Sequence, residues 1–109
     1  MKTAKYIACI DYKASYKPMT LDFIQLASTN IMDAMVEAES LMDTAKVYLI
    51  TVMERKSVKS VAGWKGVRAA TYGDILTNRG CGWHKTDEAH SEVAFEHECY
   101  FTSDGKFIA

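Results

Sequence analysis

Val47-Tyr48-Leu49-Ile50-Thr51-Val52-Met53 is the stretch that most limits what this chain can fold into. Its side chains are aliphatic, β-branched or aromatic, so an extended backbone here is apolar on both faces. A strand of that kind belongs in the middle of a sheet, with both faces covered. The strand is read as Lys46–Lys56. The apolar run is far too short to span a bilayer.

The neighbours of this strand follow from period. In Lys5–Ser15, Tyr6, Ala8, Ile10, Tyr12 and Ala14 share one parity, with Ile7 and Cys9 on the other. That pattern predicts a strand buried on both sides at its start and on one side later. Tyr16-Lys17-Pro18-Met19 is a turn, since Pro18 has no amide proton for a ladder. Leu21–Ala27 reads as a second strand.

Ser28, Thr29 and Asn30 are all suitable N-caps, and Asp33 suits the positive end of a helix. Ile31, Met35, Ala38 and Met42 then recur at helical spacing, widened by Ala34 and Leu41. A helix of about fourteen residues is expected on this periodicity. One long helix over Leu21–Asp43 is the alternative, because Phe23-Ile24 and Leu26-Ala27 fit either period.

Beyond the central strand, Gly63-Trp64-Lys65-Gly66 is a turn signal that makes Ser57–Arg68 two arms of a hairpin or a protruding loop. Val67–Thr77 is a weaker strand broken by Gly73, and Asn78–Gly82 a glycine-rich loop. Val93, Phe95, His97, Cys99 and Phe101 share one parity of a last strand. Ser103-Asp104-Gly105-Lys106 is a hairpin-type turn, after which Phe107-Ile108 adds a short edge.

The predicted order is β-β-α-β-β-β. The fold class is α+β: an antiparallel sheet of about five strands with one helix packed on one face, forming one domain over residues 1–109. One helix cannot cover five strands. The other face must be polar, curled on itself, or covered by another chain. Twelve aromatic residues on 109 favour the last, and a homodimer burying more than about 1,000 Å² is the expectation.

Charge divides the chain unevenly. Residues 1–54 sum to −2 and residues 69–109 to −4. Residues 55–68 carry Arg55, Lys56, Lys59, Lys65 and Arg68 with no acid. A bulk nucleic-acid coater is excluded by a net charge of −1. The local block is suggestive, because these cations flank Trp64 at a turn tip. Arg55, Lys56, Lys59, Trp64, Lys65 and Arg68 therefore form the candidate partner-binding set, for an acidic protein surface or a nucleic acid. The plainer alternative is a solvated hairpin whose Trp64 folds back onto the sheet, with lysines protecting the edge.

The three cysteines are an odd number without framework spacing, and Lys2 to Asp11 does not read as a signal peptide. Both point to free thiols in a cytoplasmic protein with no membrane segment. All three histidines and two cysteines fall between residues 81 and 99. Cys81, His84, His97 and Cys99 could together supply a tetrahedral zinc site. Against it, residues 97 and 99 continue a buried parity, and cysteine is often a small core hydrophobe. A Cys81–His84 nucleophile lacks any identifiable orienting group. His90-Ser91-Glu92 lacks the Pro-Cys-x2-Cys partner of zinc deaminases. GxSxG, P-loop and GxGxxG motifs are absent. A non-enzymatic binding module follows as the first reading, a small metal-binding protein as the second and a cysteine-dependent enzyme as the third.

Asn78-Arg79-Gly80-Cys81-Gly82-Trp83-His84, with Ala70-Thr71-Tyr72 upstream, resembles small uncharacterised proteins of phages and mobile elements in gut bacteria. The likeness runs from the first strand to about His84. It implies no activity, cofactor or catalytic residue, only an accessory role in a phage or host-defence setting.

Overall fold

In the computed structural model, which describes residues 3–86 and 96–108, the central run becomes the third strand of an antiparallel sheet. The strands are β1 (Tyr6–Tyr12), β2 (Leu21–Gln25), β3 (Val47–Ser60), β4 (Val67–Asn78), β5 (Trp83–Lys85) and β6 (Glu96–Thr102), with helix α1 (Ile31–Glu39) between β2 and β3. The sheet order is β2-β1-β3-β4-β5, and β6 pairs with the other half of the β4 edge. Strand followed by helix, rather than one long helix, is what Leu21–Asp43 adopts. Among the described residues no helix is long and apolar enough to cross a membrane.

The helix starts where the cap chemistry predicts. Asn30 is the N-cap, its side-chain oxygen accepting from the Asp33 amide at 3.0 Å. The helix stops five residues early, at Glu39. Ser40 Oγ donates to the Glu37 carbonyl at 2.6 Å, and Leu41 and Met42 close tight turns onto Ala38 and Glu39. The most buried helix residues are Ala34 and Ala38, both fully buried. Their small side chains let the helix axis approach the sheet closely. A carboxylate fastens the loop before the helix: Glu37 accepts from the Ala27 and Ser28 amides at 3.0 Å and the Ser28 hydroxyl at 2.6 Å.

Two cores result, one on each face of the central strands. Tyr6, Ala8, Ile10, Ile50 and Val52 face the helix with Leu26, Ala34 and Ala38. Ile7, Cys9 and Met53 face the other way, packed with Ala70, Tyr72, Cys99 and Phe101. The second core exists because of a register shift. Between Val52 and Met53 the β3–β4 pairing slips from Leu76 to Asp74, leaving Ile75 as the extra residue. That slip turns Tyr72 and Ala70 onto the same face as Met53.

What covers the second face is the sheet itself. The Phe23 ring on β2 stacks on the His97 ring of β6 at 4.0 Å between centroids, with planes 4° apart. These strands lie at opposite ends of the sheet, so it rolls until its edges meet. The tail completes the roll. Phe107 bridges to Phe101, Thr102 N donates to the Lys106 carbonyl and Ile108 N to the Tyr100 carbonyl. Gln25 Nε2 then reaches the Gly105 carbonyl at 3.3 Å. Of the three ways foreseen to cover this face, curling is the one adopted. The bare-face argument for a homodimer therefore falls away.

Candidate functional site

The β3–β4 hairpin carries the basic segment. β3 does not stop near Lys56 but runs on to Ser60, and β4 returns from Val67. A second register shift, between Arg55 and Ser57, leaves Lys56 as an extra residue. At the tip, Gly63 and Gly66 take φ values of +76° and +80°, a backbone conformation that glycine adopts without a Cβ penalty. Trp64 N donates to the Val61 carbonyl and Val67 N to the Trp64 carbonyl, which closes the turn.

The indole neither projects freely nor folds away. Trp64 stacks on Tyr100 of β6, centroids 6.3 Å apart and planes 29° apart, yet remains 52% exposed. Tyr100 donates its hydroxyl to Glu98 Oε1 at 2.6 Å, and Glu98 Oε2 pairs with Lys59 Nζ at 3.5 Å. The hydrogen bond from Tyr100, with Lys59 nearby, holds the Glu98 carboxyl below its usual range. A chain of contacts from Lys59 through Glu98 and Tyr100 thus braces the tip.

The six candidate residues divide by environment. Lys56, Lys59, Trp64 and Lys65 are exposed around the distal hairpin. The Lys56 stem lies over Gly73, where an added Cβ would fall 2.7 Å from Lys56 Cε. Arg55 points elsewhere: its Nη1 donates to the Thr3 carbonyl at 2.9 Å and the Thr3 hydroxyl at 2.8 Å. Arg68 is half-buried, with Nη1 against the Val67 carbonyl at 3.3 Å. A surface of three lysines and one indole is what the segment presents.

The Cys/His set is not brought together. His84 pairs with Thr77 near one end of β4, and Cys81 is exposed on the loop before it. His97 pairs with Tyr72 and Cys99 with Ala70, much further along the same strand. Five to seven strand residues at about 3.3 Å each separate the two pairs, too far for one metal ion. Among the described residues no group of three or more His, Cys, Asp or Glu is placed to hold a metal. His90 lies outside the described residues.

The two buried thiols are poor nucleophiles. Burial, with nearby carboxylates adding to it, pushes Cys9 up to about 12. Burial and Glu98 push Cys99 up to about 11. Both are core residues, as the parity of Cys99 suggested. His97 is held below its usual value, because burial against Phe23 disfavours the cation more than Glu98 favours it.

Linear patterning gave no sign of a cleft at the seam of the rolled sheet. It is an open depression of about 510 Å³ between the segment entering β1, the end of β2, Arg55 and the turn at Gly105. Its walls come from positions up to a hundred residues apart, so no local motif marks it.

No family model, no curated protein and no solved structure matches the chain.

Proposed function

We propose that this chain is a non-enzymatic binding module that engages an acidic macromolecular surface through the distal end of the β3–β4 hairpin. The supporting observation is the braced, half-exposed Trp64 at the tip of a hairpin that also exposes Lys56, Lys59 and Lys65, on a chain that is net −6 outside residues 55–68. An indole flanked by cations offers apolar contact area and charge together, the pairing that anchors many interfaces. The acidic remainder repels an extended polyanion, so an acidic protein surface suits the tip better than a nucleic acid. An accessory role in a phage or mobile-element setting fits such a module and rests on the resemblance alone, which runs from the first strand to about His84.

The test is fluorescence anisotropy of a short labelled peptide, three consecutive glutamates between neutral flanks, titrated with wild type and with the Lys56→Ser, Lys59→Ser, Lys65→Ser triple variant. Arg68 is left in place because it is half-buried. Wild type should bind at low salt and weaken steeply as salt rises. The triple variant should bind at least about tenfold more weakly, with little salt dependence left. Equal binding by both proteins at low salt would discard the hairpin as the contact surface.

A further inference from the structure

The cleft at the seam of the rolled sheet has the chemistry of a small-anion site. Elsewhere the sheet pairs its strands by backbone ladders. Here the Gln25 side chain reaches the Gly105 carbonyl of the tail, and the opening beside that hydrogen bond is the 510 Å³ space. That volume is within the range of small-molecule sites, about 300–1,000 Å³.

Two cations line it, Lys5 from the approach to β1 and Arg55 from β3, along with the hydroxyl-bearing Thr3, Ser28 and Thr29. Asp104 is the one acidic lining residue among the described residues, and its carboxylate accepts from the Thr102 hydroxyl and the Lys106 amide. Arg55 spends one nitrogen, Nη1, on Thr3, which fixes the guanidinium against the wall. Its remaining N–H groups are a planar donor set suited to an oxyanion. Among the described residues no aromatic side chain lines the cleft, which disfavours a ligand that must stack a nucleobase.

We infer that this cleft binds a small phosphate monoester with a polar, non-aromatic body, the phosphate held between Lys5 and Arg55. The lysine supplies a point charge and the arginine a fork, while Thr3 and Thr29 provide hydroxyl partners for the body. This site is separate from the hairpin tip, and either can fail without the other.

The experiment is a ¹H–¹⁵N titration of the whole chain with glycerol 3-phosphate at low salt, with acetate as the monoanion control. Saturable shifts are expected at the amides of Thr3, Lys5, Ser28 and Thr29, and none from acetate at the same concentration. Lys5→Gln should weaken binding about tenfold. The triple lysine variant of the hairpin should bind glycerol 3-phosphate as wild type does. Arg55→Gln should abolish binding, and its dispersed amide spectrum would show that it folds. If Arg55→Gln does not fold, Lys5→Gln decides alone. The inference is overturned by absent shifts at tens of millimolar ligand, by equal shifts from acetate, or by a Lys5→Gln variant that binds as wild type.

Discussion

Replacing Glu37 by Gln should loosen the loop that joins β2 to α1, and only at pH values where the carboxylate is charged. The wild-type side chain accepts from two backbone amides and the Ser28 hydroxyl. Glutamine keeps one acceptor oxygen and turns the other into a donor that faces those same N–H groups. A hydrogen bond to a charged acceptor contributes roughly 1.5–3 kcal/mol, and glutamine forfeits more than one. Glu37 is half-exposed, so water replaces part of what is lost, and a cost of about 1–2 kcal/mol is expected. The pH dependence carries the sharper information. Burial alone would raise the Glu37 carboxyl, but the Ser28 hydroxyl and the Ala27 and Ser28 amides hold it below its usual value. A carboxyl depressed in the folded state stabilises fully above its unfolded value, about 4.3, and that contribution is lost as pH falls through the folded value. Urea unfolding of both proteins at pH 7 should show the variant less stable by the stated amount. The gap should narrow as pH falls through the folded value, because a protonated Glu37 resembles glutamine. Coincident curves at pH 7, or a gap that does not narrow as the pH is lowered, would refute the clamp.

Three further outcomes follow from the rolled sheet. His97→Phe should flatten the fall in stability between pH 7 and 5, because a neutral stacked histidine with a lowered value loses its stabilising effect as pH drops through about 6.5; chemical unfolding at both pH values reads this, and an unchanged slope would contradict it. Thiol labelling of the native protein should give one fast adduct at Cys81 and two slow ones at Cys9 and Cys99, with all three reacting in denaturant. Phe101→Ala should cost about 3–5 kcal/mol, since Phe101 is fully buried inside the roll, whereas the half-exposed Trp64→Ala should cost much less; similar unfolding midpoints would mean that the second core is not packed as described.

How much of this was legible follows from which residues act locally. The apolar run at Val47, the cap at Asn30 and the alternation through His97, Cys99 and Phe101 depend on neighbours in sequence, and all three lead to the observed elements. The length of β3 was not legible, because Arg55 to Ser60 is polar apart from the exposed Val58 and its pairing comes from β4, not from burial. β5 was missed for a similar reason: Trp83–Lys85 is three residues long and exists only by pairing with Leu76–Asn78. The two register shifts leave no mark in composition, yet one of them moves Tyr72 into the second core. At the candidate site, the lysines and Trp64 could be read as a charged tip. The diversion of Arg55 to Thr3 and the brace through Tyr100 could not, since both partners lie more than thirty residues away. The grouping of Cys81 and His84 with His97 and Cys99 failed because closeness in sequence was taken for closeness along β4.

Residue-resolved mapping of an acidic polypeptide on the wild-type protein tests the hairpin reading most directly. A ¹H–¹⁵N titration at low salt with an unlabelled short peptide, three consecutive glutamates between neutral flanks, should shift the Trp64 indole N–H and the amides of residues 56–66. The amides of α1, which carries Asp33, Glu37 and Glu39, should stay in place. Shifts that spare Trp64 and the hairpin while appearing elsewhere on the sheet, or no shifts at all, would contradict a basic tip built for an acidic partner.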